Sequence, residues 1–214
     1  MNENLQPEMI PETPETSMLS RFFKELGSWV LCIVTAVVIA LVLRTYVFTV
    51  VKVVGESMCP TLQNHQRLFT RIIGYKPERG DIIIFNPKSN PDEAYVKRVI
   101  ATEGDRIWID DATGDVHLKK SGSKTWEVLE EDYIADEPYN SNMPNIAQMV
   151  TDDSGDQGLL IKEDHIFVMG DNRNHSNDSR NDFDMRAVGQ VHVDSVIGKA
   201  VFRWWPLSDF GGLY

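Results

Sequence analysis

A serine at position 57 lies in the run Gly55, Glu56, Ser57, Met58, Cys59, Pro60, Thr61, Leu62, and a lysine at 97 lies in Tyr95, Val96, Lys97, Arg98, Val99. A serine hydroxyl attacks a carbonyl only when a base removes its proton, and lysine becomes that base once burial lowers its pKa. Gly55 and Pro60 force a turn that exposes the hydroxyl and can point backbone N–H groups at one spot, the geometry an oxyanion needs. Alternation along the second run puts Tyr95, Lys97 and Val99 on one face and Val96 and Arg98 on the other. An ammonium flanked by Tyr and Val there can lose its hydration. Each run taken alone also has a plainer reading: a solvated serine in a strand-to-loop turn, and an edge-strand lysine that discourages aggregation.

A third cluster runs from Met169 to Arg180, directly after a strand-like stretch. Its short polar side chains form a loop rich in side-chain-to-backbone hydrogen bonds, in which Asp178 and Arg180 can pair and Ser176 can position an amine. As a calcium loop it fails, because Arg173 and Arg180 interrupt the ligand spacing and the central glycine is missing. Asp152 to Glu163 comes nearer but has Gln157 where that glycine belongs. The five histidines are scattered, with no second His or Cys at ligand spacing, so the reading is no metal and no cofactor.

These groups need elements to hold them. Met1 to Ser20 combines Pro7, Pro11 and Pro14 with glutamates and reads as a disordered tail, which extends to about residue 25. Leu26 to Leu43 carries no charge and is long enough for a bilayer at about 1.5 Å per residue. A buried core helix would show a polar face, and a cleaved leader would end in a small-x-small site; neither is visible, so residues 26–45 read as an uncleaved anchor. Arg21 and Lys24 at one end and Arg44 and Lys52 at the other leave its orientation open on charge alone.

Beyond the anchor the pattern is of strands: Tyr46 to Val54, Gln66 to Ile73, Ile82 to Phe85, Ala94 to Ala101, Arg106 to Ile109, Val116 to Lys119, His165 to Met169, Gln190 to Val193 and Val196 to Trp204. Ser121 to Gly158 is acidic and irregular and reads as an insertion outside the core. The expected fold is mainly β. One N-terminal transmembrane helix precedes an antiparallel, coiled β domain (46–104 and 164–214), with a small inserted cap (105–163). A net charge of −11 with no basic stripe argues against a nucleic-acid partner. Cys32 and Cys59 read as free thiols.

Taken together and in order, these segments resemble the type I signal peptidase family. The resemblance rests on Gly55 to Leu62, on Gly80 and Asp81 leading into Phe85, on Val96 to Val99 followed by Gly104 and Asp105, on Gly170 to Arg173 with Ser176, Asp178, Ser179 and Arg180, and on Gly198, Lys199 and Ala200. It implies Ser57 as nucleophile, Lys97 as general base and the Ser57 N–H as oxyanion donor. It also implies Ser176 as the residue that orients the lysine, with Asp178, Arg180 and Arg98 in support and Met58 and Tyr95 at the substrate. It implies removal of signal peptides from exported preproteins after small-x-small sites, through an acyl-enzyme, by a protein anchored in the lipid bilayer of the cell membrane. The N-terminus would be cytoplasmic and the catalytic domain on the far side.

Two departures stand out. Gly55 occupies a place where some members of the family have a hydroxyl, and the stretch between Arg180 and Gly189 is longer than usual and contains Asp184 and Arg186, which could be aligned to the same Asp-x-Arg pattern; the spacing from Gly170, Asp171 and Asn172 favours Asp178 with Arg180. No residue of Ser121 to Gly158 carries over. The competing functional reading is a non-enzymatic, membrane-tethered β module that binds exported chains.

Overall fold

A computed structural model describes residues 18–148 and 155–213. Of the expected tail, residues 1–17 lie outside the described residues, as does the start of the calcium-like run at Asp152; residues 18–25, also expected in the tail, are helical and continuous with the apolar run. The chain divides into two compact units, one ending at Leu43 and the other beginning at Arg44.

The first unit is helix α1, Met18–Val42. Its stretch Ser20–Val42 is long and apolar enough to cross a membrane: 23 residues span roughly 35 Å against about 30 Å of hydrocarbon. Helical structure continues past the expected end as a π-helical turn over Leu43–Val47. Strand β1 therefore begins at Phe48, later than the β-branched run suggests, and ends at Lys52.

The second unit is built on two antiparallel sheets. The first has eight strands: β1, β2 (Arg67–Arg71), β3 (Ile82–Phe85), β4 (Tyr95–Thr102), β9 (His165–Met169), β10 (Val191–His192), β11 (Val196–Trp205) and β12 (Gly211–Gly212). Their order is β1-β2-β11-β3-β4-β9-β10, with β12 on β11. The second sheet holds β5 (Arg106–Ile109), β6 (Val116–Lys119), β7 (Glu127–Val128) and β8 (Leu159–Leu160) in the order β7-β6-β5-β8.

The β5–β6 hairpin pairs Arg106 with Lys119 through Ile109 with Val116. Strand β11 is long enough to serve two neighbours. It pairs with β3 near Val196–Lys199 and with β2 from Lys199 to Trp205, and register shifts along it let the sheet curl.

Strand β3 is an unbroken apolar run because both of its faces are covered. Ile82 and Ile84 pack with Val53, Met58, Leu62, Leu68 and Ala200, while Ile83 and Phe85 pack with Val99, Ile166, Val168, Val188 and Val191. A third cluster joins the far ends of β4 and β9 to the second sheet through Ile100, Phe167, Ile107 and Leu118.

The irregular insertion contributes to that third cluster. Ala147 is fully buried in it, its carbonyl accepts the Ile109 N–H at 2.7 Å, and Asn145 donates to the Ile109 carbonyl at 3.2 Å. A stretch without apolar periodicity thus supplies core through a few residues held by backbone bonds.

Candidate active site

The turn after β1 is tied down by its apolar members. Met58 is 2% exposed and Leu62 fully buried, and the Leu62 N–H donates to the Met58 carbonyl at 2.8 Å, with Cys59 N–H to Glu56 carbonyl at 3.0 Å. Gly55 enters the turn at φ +93° with open space around it, so backbone conformation and not crowding calls for glycine there. Ser57, between these anchors, is left half-buried with its N–H unbonded among the described residues.

Lys97 reaches Ser57 from β4, where it pairs with Ile83 of β3. Its Nζ lies 2.7 Å from the Ser57 Oγ and 3.0 Å from the Val96 carbonyl oxygen, to which it donates. The side chain is nearly buried, with Nζ 5.4 Å from the centre of the Tyr95 ring. Burial lowers its pKa to about 8, against the upward pull of the Asp178 and Asp171 carboxylates. About a tenth is then the free amine at pH 7, in contact with a hydroxyl, where an unshifted lysine would be almost wholly charged.

The neighbouring Arg98 points to the other face and braces the site. It grips Asp171 at 2.9 and 2.7 Å, donates to the Gly80 carbonyl at 2.9 Å and sits 3.9 Å from the Tyr133 ring centre. Asp171 also accepts the Thr61 hydroxyl at 2.6 Å, which links the Ser57 turn to the Gly170 loop. The Asn172 N–H donates to the Ser57 carbonyl at 3.0 Å. Gly170 lies beneath, so close that a Cβ there would run into the Ser57 carbonyl oxygen and the Ser176 side chain.

Two buried ion pairs stiffen that loop. Asp178 binds Arg180 through both carboxylate oxygens at 2.9 Å and accepts the Gly170 N–H at 3.0 Å. Burial alone would raise the Asp178 carboxyl, but the Arg180 charge and these bonds outweigh it and hold the group below the usual carboxylate range. Arg173 forms a two-point pair with Glu131, whose carboxylate also accepts the Tyr133 hydroxyl at 2.8 Å. Burial and the Glu131 charge push the Tyr133 hydroxyl upward, so it stays protonated and donates.

Ser176 is buried over Gly170. Its Oγ makes no hydrogen bond of good geometry, to Lys97 or otherwise, though it lies close enough to Asp178 to help hold that carboxyl low. Asp184 and Arg186, the alternative pair, are solvent-exposed and 3.9 Å apart. Of the two Asp-x-Arg candidates, the structure brings only Asp178 and Arg180 into the buried loop beside the dyad.

Glu131, Tyr133 and Thr61 were not singled out by sequence. Thr61 lies inside the run that carries Ser57 but is given no role there, whereas Glu131 and Tyr133 sit in the acidic insertion with no pattern to mark them.

A cleft of about 500 Å³ opens over the pair, lined by Val53, Met58, Glu93, Tyr95, Val96 and Asn177 together with Ser57 and Lys97. Among the described residues no group of His, Cys, Asp and Glu side chains is arranged to hold a metal ion.

The sequence profile described as "Signal peptidase, peptidase S26" matches residues 26–205. The chain belongs to the signal peptidase family. Signal peptidase IB of Staphylococcus aureus (strain Mu50) is 34% identical over 194 residues, covering 87% of this chain and 93% of that protein. A probable signal peptidase I-2 of Synechocystis is 32% identical over 186 residues, covering 83% and 72%. A solved signal peptidase I from Enterococcus faecalis V583 is 29% identical, covering 58% of this chain and 97% of that one, with a TM-score of 0.41. As a signal peptidase the chain is a hydrolase of a serine-protease family, and with its apolar N-terminal helix it is a membrane-anchored protein.

Proposed function

We propose that this chain removes signal peptides from exported preproteins with Ser57 as nucleophile and Lys97 as general base. The observation that carries the reading is the 2.7 Å contact between Lys97 Nζ and Ser57 Oγ, made by a lysine whose burial lowers its pKa to about 8. The neutral amine takes the hydroxyl proton as Oγ attacks the carbonyl carbon of the scissile bond. The unbonded Ser57 N–H supports the oxyanion. The C–N bond then breaks, the leaving amine takes the proton from Lys97, and an ester to Ser57 remains. Water gives a proton to Lys97 and attacks the ester, and the proton returns to Ser57 as the signal peptide leaves.

Arg98, Asp178 and Arg180 act through the Gly170 loop as positioning residues, and Ser176, packed against that loop beside Ser57, holds the lysine's surroundings. The substrate binds as an added strand. Along Tyr95–Lys97, β4 pairs with β3 on one side only, because β9 joins it from Arg98 onward, and this leaves an edge open to an extended peptide. Met58 and Tyr95 wall the pocket for small side chains before the bond, where larger ones are excluded sterically. No metal or nucleotide takes part. In the cell membrane the N-terminus is cytoplasmic and the unit from Arg44 onward, with residues 105–163 as its inserted cap, lies on the far side.

The test is cleavage of a preprotein with a small-x-small site by the detergent-solubilised chain beside Ser57→Ala and Lys97→Ala. Cleavage by the parent alone is the expected result; equal cleavage by all three removes the dyad from the mechanism.

A further inference from the structure

The cleft over Ser57 does not end at the dyad. His175 and Asn177, which line it, also line a second groove of about 230 Å³ that runs between Pro144 of the insertion and the Asp184–Arg186 loop. A preprotein is continuous across the scissile bond, so the chain on both sides must be housed. The apolar end of the cleft, at Val53, Met58 and Val96, suits the small residues before the bond. The polar groove past Asn177 is where the chain after the bond would run.

Both walls of the groove are fixed. On the insertion side, the Ile146 N–H donates to the Arg180 carbonyl at 3.0 Å, and Asn174 binds the backbone of Asn140 and Pro138 at 2.9 Å each. On the other side, Asn177 donates to the Arg186 carbonyl at 2.8 Å, and Asn181 holds Asp184 at 3.1 Å.

The Asp and Arg side chains that line the groove form two pairs, which differ in exposure. Asp178 and Arg180 neutralise each other in the groove floor. The Asp184 side chain is 48% exposed, with its carboxylate accepting the Arg186 N–H at 2.8 Å. The Arg186 guanidinium is 80% exposed, with Asp184 only at 3.9 Å. A cation is therefore presented at the rim of a chain whose net charge is −11.

We propose that this groove receives the first residues of the mature chain, those following the scissile bond, and that Arg186 selects for an acidic side chain among them. The proposal rests on the Ser57–Lys97 cleavage reading and gives the insertion a role as one wall of the leaving-side subsite. A rim charge pair of this kind changes the rate by about 2- to 5-fold and fades with salt.

The experiment uses the full chain in detergent and a preprotein carrying Asp, Asn or Lys at each of the first four positions after the bond. The parent should cleave the Asp forms about 2- to 5-fold faster in kcat/KM than the Lys forms at one or more of these positions, with the difference shrinking as salt rises. Arg186→Gln should remove the preference and Arg186→Glu reverse it. Neither should alter discrimination against a large residue before the bond, and thermal melting should match the parent.

Equal cleavage of all forms by the parent, or an unreversed preference in Arg186→Glu, overturns the groove assignment alone. A folded Arg186→Glu that cleaves nothing also overturns it, because a rim charge touches no reacting atom. A parent that cleaves none of the substrates brings down the functional reading and this assignment with it.

Discussion

The Arg98 guanidinium lies 3.9 Å from the centre of the Tyr133 ring while its Nε and Nη2 hold Asp171. Tyr133 belongs to the insertion and Asp171 to the loop that binds the Ser57 carbonyl through Asn172, so one side chain clamps two distant segments beside the dyad. Its sequence neighbour, Lys97, faces Ser57.

Loosening this clamp should cost both stability and rate. Tyr133→Leu removes the cation–ring contact and the bond to Glu131, a loss of about 1–2 kcal/mol. Glu131→Gln leaves the Arg173 charge nearly buried without its partner, at about 3–5 kcal/mol. Denaturant unfolding reads the stability and preprotein cleavage the rate; unaltered cleavage in a destabilised Glu131→Gln would show that the loop's position near Ser57 does not depend on this pair.

The pH profile follows from Lys97. With its pKa lowered to about 8, the reactive free amine is lost as pH falls below that value. Log kcat/KM should rise with a slope near one up to about pH 8 and then level off. A profile flat down to about pH 6 would exclude a lysine base.

The same lowered pKa makes Lys97 a burden on folding. The unfolded chain binds its proton up to 10.5, the folded one only to about 8, so between these values the unfolded state holds more protons and stability rises with pH. Below about 8 the full penalty of about 3 kcal/mol applies. Lys97→Met should therefore be inactive yet more stable than the parent at pH 7. Its advantage should shrink toward pH 10, and thermal melts at both values decide the matter.

The two Asp-x-Arg pairs should respond differently. Asp178→Asn strands the buried Arg180 charge and should cost about 3–5 kcal/mol with a heavy loss of cleavage. Asp184→Asn, in an exposed loop, should leave the melting temperature unchanged. A silent Asp178→Asn would remove that pair from the positioning machinery.

Gly170→Ala tests the close approach under the nucleophile. The added methyl meets the Ser57 carbonyl oxygen and Ser176, so relief requires the nucleophile turn to shift. A displacement on the order of 1 Å lowers kcat about 10²-fold, with a smaller effect on substrate affinity; steady-state kinetics separate the two.

Most of the strand framework was legible because its periodicity is local. Arg106–Ile109 and Val116–Lys119 pair as a hairpin across Asp110–Asp115, with the residues their alternation implies. The two-residue strands β7, β8 and β12 carried no such signal, being too short to alternate. Within the site, Ser57 and Lys97 stand out since their residue types are unusual for their settings. Glu131 and Tyr133 could not be found that way: an acidic residue in an acidic stretch reads as solvated, and only the fold shows that it meets Arg173. The hydroxyl of Ser176 lies in the right neighbourhood but not in hydrogen-bonding geometry with Lys97, a distinction no spacing rule conveys.

The link from the Thr61 hydroxyl to Asp171 spans 110 residues of sequence, and the Asn172 bond to the Ser57 carbonyl spans a similar distance. Contacts this remote carry a high cost in loop-closure entropy. The turn that carries Ser57 thus takes its underpinning from a loop far along the chain. A chain that stopped short of Asp171 would hold both Ser57 and Lys97 and still lack the two bonds that fix the turn.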